Sequence, residues 1–116
     1  SDTRQMSIAS YELAIRNAQA SGVRALVAIF NMGTTMFGSV DEIDRLLPIL
    51  KRSGMPYKVH VDGAFGGFVY PFTNHDHRLT FSNPEVSSMT IDAHKMLQAP
   101  YGTGIFLSRK GMIAYT

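Results

Sequence analysis

The run at residues 23–30, Val-Arg-Ala-Leu-Val-Ala-Ile-Phe, sets the strongest limit on how this chain can fold. It is short, partly β-branched and apolar except for Arg24, and it shows no polar–apolar alternation. Parallel strands covered on both faces give continuous runs of this kind, so a buried parallel strand is expected here. Gly22 and Asn31-Met32-Gly33 bound it. Ahead of it, Ser7 is a plausible N-cap for a helix carrying Ile8, Tyr11, Ile15 and Ala18 at helical spacing, which Ser21-Gly22 stops. Behind it, Gly33-Thr34-Thr35-Met36-Phe37-Gly38-Ser39 reads as a loop. Ser39 or Asp41 is then placed to cap a second helix, whose apolar stripe is Ile43, Leu46, Leu47 and Leu50. Pro48 inside that helix predicts a kink.

The remaining pattern extends the same architecture. Residues 57–61 read as a strand opening into Asp62, and the glycine-rich, aromatic stretch 63–72 as a loop or short helix packed close to a neighbour. Residues 73–84 are polar and read as an exposed connection. A strand at 86–91 leads into Asp92-Ala93-His94-Lys95, and a last strand is expected at 103–108. Helix and strand alternate as in an α/β sheet. Residues 97–102 are too few for a crossover helix, so the last strand is expected to return antiparallel.

Composition narrows the function classes. The 116 residues are the size of one domain, 45% hydrophobic and 17% charged. The net charge of +2 comes from scattered residues; Lys51-Arg52 and Arg109-Lys110 read as helix or strand ends, which argues against a nucleic-acid surface. There is no cysteine, hence no disulfide or thiolate chemistry. No apolar run approaches the roughly 20 residues that span a bilayer. Residues 1–5 are polar and lack a signal-peptide pattern, so the cytoplasm is the expected compartment. The chain starts without Met and stops at Ile113-Ala114-Tyr115-Thr116 without an evident cap, which reads as a segment of something larger.

In open α/β sheets the site crevice lies beyond the carboxyl ends of the strands. Three polar groups closely follow expected strands: Thr34-Thr35, Asp62 and His94-Lys95. Each has a plain structural reading, since Asp and Thr after a strand often form caps and turns, and a Lys beside a His can be a solvated pair. Against that reading stand the apolar neighbours Ile91, Ala93, Met96 and Leu97, because an amine in such surroundings is more easily deprotonated and a better nucleophile toward an aldehyde. Strand periodicity puts His60 on the face of Asp62, where it could lie behind the carboxylate and fix it. His60, His75, His77 and His94 lack metal-site spacing, and His75-Asp76-His77 reads as a polar loop, so no metal is expected. Neither Gly33–Gly38 nor the 63–67 glycines match a phosphate-loop or dinucleotide fingerprint.

The run His60-Val61-Asp62-Gly63-Ala64-Phe65-Gly66-Gly67-Phe68 resembles the cofactor-aspartate motif of the pyridoxal-phosphate-dependent group II amino-acid decarboxylases. Thr90-Ile91-Asp92-Ala93-His94-Lys95-Met96 resembles their Schiff-base lysine segment, and Asn31-Met32-Gly33-Thr34-Thr35 their upstream Gly-Thr-Thr loop. The details are most similar to the microbial tyrosine, aspartate or glutamate decarboxylase branch. Many members carry Asp-Ala-Ala where this chain has Asp62-Gly63-Ala64, and Asn-Pro-His-Lys or Asp-Pro-His-Lys where it has Asp92-Ala93-His94-Lys95. Neither departure removes a reacting group.

The resemblance implies the central part of the large domain of a fold-type I pyridoxal-phosphate enzyme over residues 1–116, with the phosphate cup upstream and a C-terminal small domain outside the segment. It implies that Lys95 joins the cofactor aldehyde and Asp62 pairs with the ring nitrogen. Ala64 would pack beneath the ring, His94 approach the phosphate and Thr34 lie near the cofactor. The implied activity is decarboxylation of an L-amino acid to its amine, in a homodimer when full-length, with the isolated segment inactive. Two other readings stay open at this point: a carbon–carbon lyase of the sphingosine-phosphate lyase type, and a silent structural or interaction module.

Overall fold

The computed structural model describes residues 4–73, 75–96 and 99–112. Helix α1 (Ile8–Ala20) starts where the sequence places it: Ser7 is extended, and its hydroxyl accepts the Ser10 N–H. Strand β1 (Leu26–Asn31) begins three residues later than the apolar run. Helix α2 (Ile43–Arg52) turns Ile43, Leu46 and Leu50 into the core and accommodates Pro48. Strand β2 (Tyr57–Asp62), the short helix α3 (Tyr70–Thr73), strand β3 (Val86–Asp92), the one-turn helix α4 (Ala93–Met96) and strand β4 (Gly104–Ser108) complete the order.

The strands form one sheet in the order β1-β2-β3-β4. β1, β2 and β3 are parallel, with Asn31 opposite Asp62 and Asp62 opposite Thr90. β4 pairs antiparallel to β3, as the short connection requires. Phe30, Val59, Val61 and Val86 are fully enclosed on one face, packed with Leu46 and Leu50 of α2 and Ile15 of α1. The other face is different from expectation. Val27 is 67% and Ile29 52% exposed, so the apolar run that reads as covered on both sides is covered here on one. Among the described residues no helix is long and apolar enough to cross a membrane.

Two more expectations change. Asp41 does not cap α2, whose N-cap is Glu42. It is 5% exposed, and its carboxylate accepts the backbone N–H groups of Met6 and Asn31 at 2.8 Å each, joining the start of the chain to the end of β1. The connection at 75–85 is more than an exposed loop. Leu79 is buried, Arg78 grips Asp76 and reaches Asp44 of α2 at 2.6 Å, and Glu85 meets Lys51 at 3.0 Å and the Tyr57 hydroxyl at 2.8 Å. Arg109, which the sequence offers only as a strand end, donates to the carbonyls of Phe81, Asn83 and Val86.

Candidate active site

The parallel strands end at one rim, and main-chain hydrogen bonds carry the ladder past them. The Met32 N–H donates to the Asp62 carbonyl, the Gly63 N–H to that of Thr90, and the Asp92 N–H to that of Ala64. The two loops leaving β1 and β2 then touch backbone to backbone. A Cβ at Gly66 would overlap the Met32 carbonyl oxygen, and one at Gly33 would stand 3.0 Å from the Gly66 Cα. Gly33 also has a φ of +78°, which suits glycine. The glycines therefore set the distance between the loops.

At this rim a cleft of about 220 Å³ is lined by Asn31, Gly33, Thr34, Thr35, Asp62, Ala64, Phe65 and Lys95. It collects four of the five residues the sequence nominates. Asp62 is half-buried and its Oδ1 accepts the Ala64 N–H at 3.0 Å, which fixes the carboxylate to the turn that follows it. Thr34 closes its own loop: its hydroxyl lies 2.9 Å from that of Ser39 and accepts the Ser39 N–H. Lys95 stands on α4 with its side chain 33% exposed and its Nζ 3.4 Å from Asp92 Oδ2. The amine expected among apolar neighbours thus also holds an ion pair at a partly open site. Of the neighbours invoked for it, the Met96 side chain and Leu97 lie outside the described residues, as do residues 113–116.

His94 is not among the residues lining the cleft. Its Nδ1 lies 3.2 Å from the Thr103 carbonyl oxygen, and its ring packs against Tyr101. His60 does not back Asp62. Its ring nitrogens face the hydroxyls of Ser88 at 2.8 Å and Thr90 at 3.0 Å on β3, and Phe106 of β4 stacks on it. The register irregularity between Val59 and His60 turns it to those partners. Sequence reasoning missed Asp92 as the partner of Lys95, although its place three residues earlier was a usable signal.

A larger hollow of about 790 Å³ lies over residues 75–84, away from this rim. Arg78 hydrogen bonds hold the Asp76 carboxyl well below the usual carboxylate range, against the opposing pull of burial. The same contact raises the guanidinium, and Asp44 adds to the effect. Asp76 and Arg78 thus satisfy one another's charge, and His75 and His77 line the same hollow. Among the described residues no group of three or more His, Asp or Glu is placed to hold a metal ion.

The smaller cleft suits a flat, charged-ring ligand. Its volume equals about seven waters at roughly 30 Å³ each, room for a substituted six-membered ring. It is below the roughly 300–1,000 Å³ of a complete ligand pocket, so it fits a cofactor ring rather than cofactor and substrate together. One carboxylate, one primary amine, small residues beside them and the aromatic Phe65 make a donor set matched to a pyridine aldehyde.

Comparison with known proteins agrees with that chemistry. The family model described as the pyridoxal-dependent decarboxylase conserved domain matches residues 1–113. The tryptophan decarboxylase of Clostridium sporogenes is 55% identical over 102 residues, which are 88% of this chain and 24% of that protein. A probable L-aspartate decarboxylase of Halobacterium salinarum is 49% identical over 77 residues, 66% of this chain and 21% of that one. The crystal structure of mouse CSAD in apo form superposes with a TM-score of 0.76 at 26% identity, covering 97% of this chain and 23% of that chain. The chain spans about a quarter of the length of the relatives it matches.

Proposed function

The chain belongs to the pyridoxal-dependent decarboxylase family, and from that premise we propose that it is the central, cofactor-holding part of an enzyme that decarboxylates an L-amino acid to the amine. The observation that carries this reading is the cleft shared by Asp62 and Lys95, residues 33 positions apart in the sequence. The relatives described above are decarboxylases, which favours this reaction over carbon–carbon cleavage and over a silent module. The 55% identity to a tryptophan decarboxylase favours an aromatic side chain on the substrate.

Pyridoxal phosphate, when bound, supplies an electron-withdrawing ring that accepts the electron pair left by departing carbon dioxide. Asp62 is assigned to the ring nitrogen, where an anion favours the protonated, more strongly withdrawing form. The Ala64 N–H holds that carboxylate in place, and the small Ala64 side chain leaves space beneath the ring. Lys95 is assigned as the amine that attaches to the cofactor and, when free, moves protons at the reacting carbon. Thr34 shapes the same wall. His94 is assigned to the phosphate; with Nδ1 engaged by Thr103, its Nε2 is the atom left to meet an anion. For the full-length protein this reading carries a cytoplasmic homodimer, with sedimentation as the test of the dimer.

The decisive experiment uses the full-length protein. After addition of pyridoxal phosphate, borohydride reduction and peptide mapping should place the cofactor on Lys95. Cofactor retained with Lys95 unmodified would refute the assignment. Turnover assays with tryptophan, tyrosine and aspartate should rank the aromatic substrates first.

A further inference from the structure

Lys95 lines the cleft, yet among the described ion pairs its partner is Asp92 rather than Asp62. Asp92 lies at the end of β3, three residues before the lysine, and does not itself line the cleft. It is the more enclosed of the two, with 18% of its side chain exposed. Its backbone is held from two directions: its own N–H donates to the Ala64 carbonyl at 3.1 Å, and the next N–H, of Ala93, to that of Thr103 at 3.0 Å. Gly104 flanks the carboxylate without crowding it; a Cβ there would be 3.4 Å from Oδ1. The backbone that carries the carboxylate is held, and the lysine, on its flexible four-carbon stem, is the more movable partner.

We propose that Asp92 is the dock for the free Lys95 amine, a positioning residue that holds the ammonium at the rim of the cleft whenever its nitrogen is not bonded to a cofactor. This inference rests on the cofactor reading given above. Its consequence is competition. Attachment of a cofactor to Lys95 breaks the ion pair, and release of the amine restores it, which draws the lysine aside while a substrate amine takes its place. Partly exposed ion pairs are weak, so the competition is a matter of a few fold.

Asp92→Asn preserves size and removes the charge, and it is tested in the full-length protein with two probes. Pyridoxine 5′-phosphate, which has an alcohol in place of the aldehyde, reports binding without attachment; absorbance titration with pyridoxal phosphate reports attachment. The variant is expected to bind the first as the parent does, within about twofold, and to take up the second about three- to fivefold more tightly. Asp92→Glu should return the second value to within about twofold of the parent. Unchanged or weaker uptake of pyridoxal phosphate by Asp92→Asn overturns the docking role. Loss of pyridoxine phosphate binding also overturns it, by marking Asp92 as structural. A parent protein that binds neither probe instead overturns the cofactor reading, and the dock with it.

Discussion

The connection between β2 and β3 has two halves held by opposite means. Residues 63–67 are fixed by the main chain: glycines seat the turn against Met32 and Gly33, and carbonyls tie it to β3. Residues 75–85 are fixed by side chains, with Arg78 strapped to Asp76 and Asp44, and Glu85 to Lys51 and Tyr57. Where the backbone does the holding, carboxylates and amines are left for chemistry. Where charges do the holding, they are spent on one another, as Asp76 and Arg78 are at the larger hollow.

The contrast can be broken at its stronger side first. If backbone contact fixes the turn, the smallest added side chain should do the most damage. Gly66→Ala is expected to destabilise the full-length protein by about 3 kcal/mol, seen as a lowered denaturation midpoint, because the methyl group meets a main-chain oxygen that has little room to move. A normal midpoint would show that the loops are looser than their contact implies. Asp62→Asn tests the complementary point, that side chains here are free of structural duty. Its amide oxygen can still accept the Ala64 N–H, so melting should barely change while turnover falls about 100-fold, about 2.7 kcal/mol in barrier. Equal turnover would remove Asp62 from the chemistry.

On the strapped side the effects are smaller. Arg78→Ala should cost about 1 kcal/mol and open residues 75–84 to proteolysis, with cofactor retention unchanged. Parallel loss of cofactor would mean that the two halves are coupled. The weakest effect is in pH. Arg78 lowers the Asp76 carboxyl, and Lys51 and Tyr57 lower that of Glu85. Carboxyls depressed in the folded state stabilise fully above their unfolded values, about 3.9 and 4.3, and lose that contribution as pH falls through the folded values. Melts of the parent and Asp76→Asn should therefore differ at pH 7 by about 0.5 kcal/mol, since Arg78 is largely exposed, with the gap starting to narrow below about pH 4 and closing only as pH falls through the depressed folded value.

The sequence made the sheet legible because its signals are local. The Ser7 cap, the apolar runs and the short link before β4 each act within a few residues. That Asp62 and Lys95 come to one cleft was legible through strand-end logic and the family motifs. What stayed hidden depends on partners far along the chain. Asp41 looks like a cap until Met6 and Asn31 come to it, 35 and 10 residues away. His60 points as periodicity says, but a shift in register hands it to Ser88 and Thr90. Arg109 reads as a strand end until three carbonyls converge on it. The Lys95–Asp92 pair is local and still hidden in the sequence, because apolar residues on both sides of the lysine mask the carboxylate three positions earlier.

The meeting of Gly33 and Gly66 has a consequence for anyone recombining this chain with its relatives. Each loop is the mould of the other, so a chimera that imports only one joins two surfaces shaped for different mates. The unit of exchange is the matched pair, and crossover points belong before β1 and after residue 67, where both travel together.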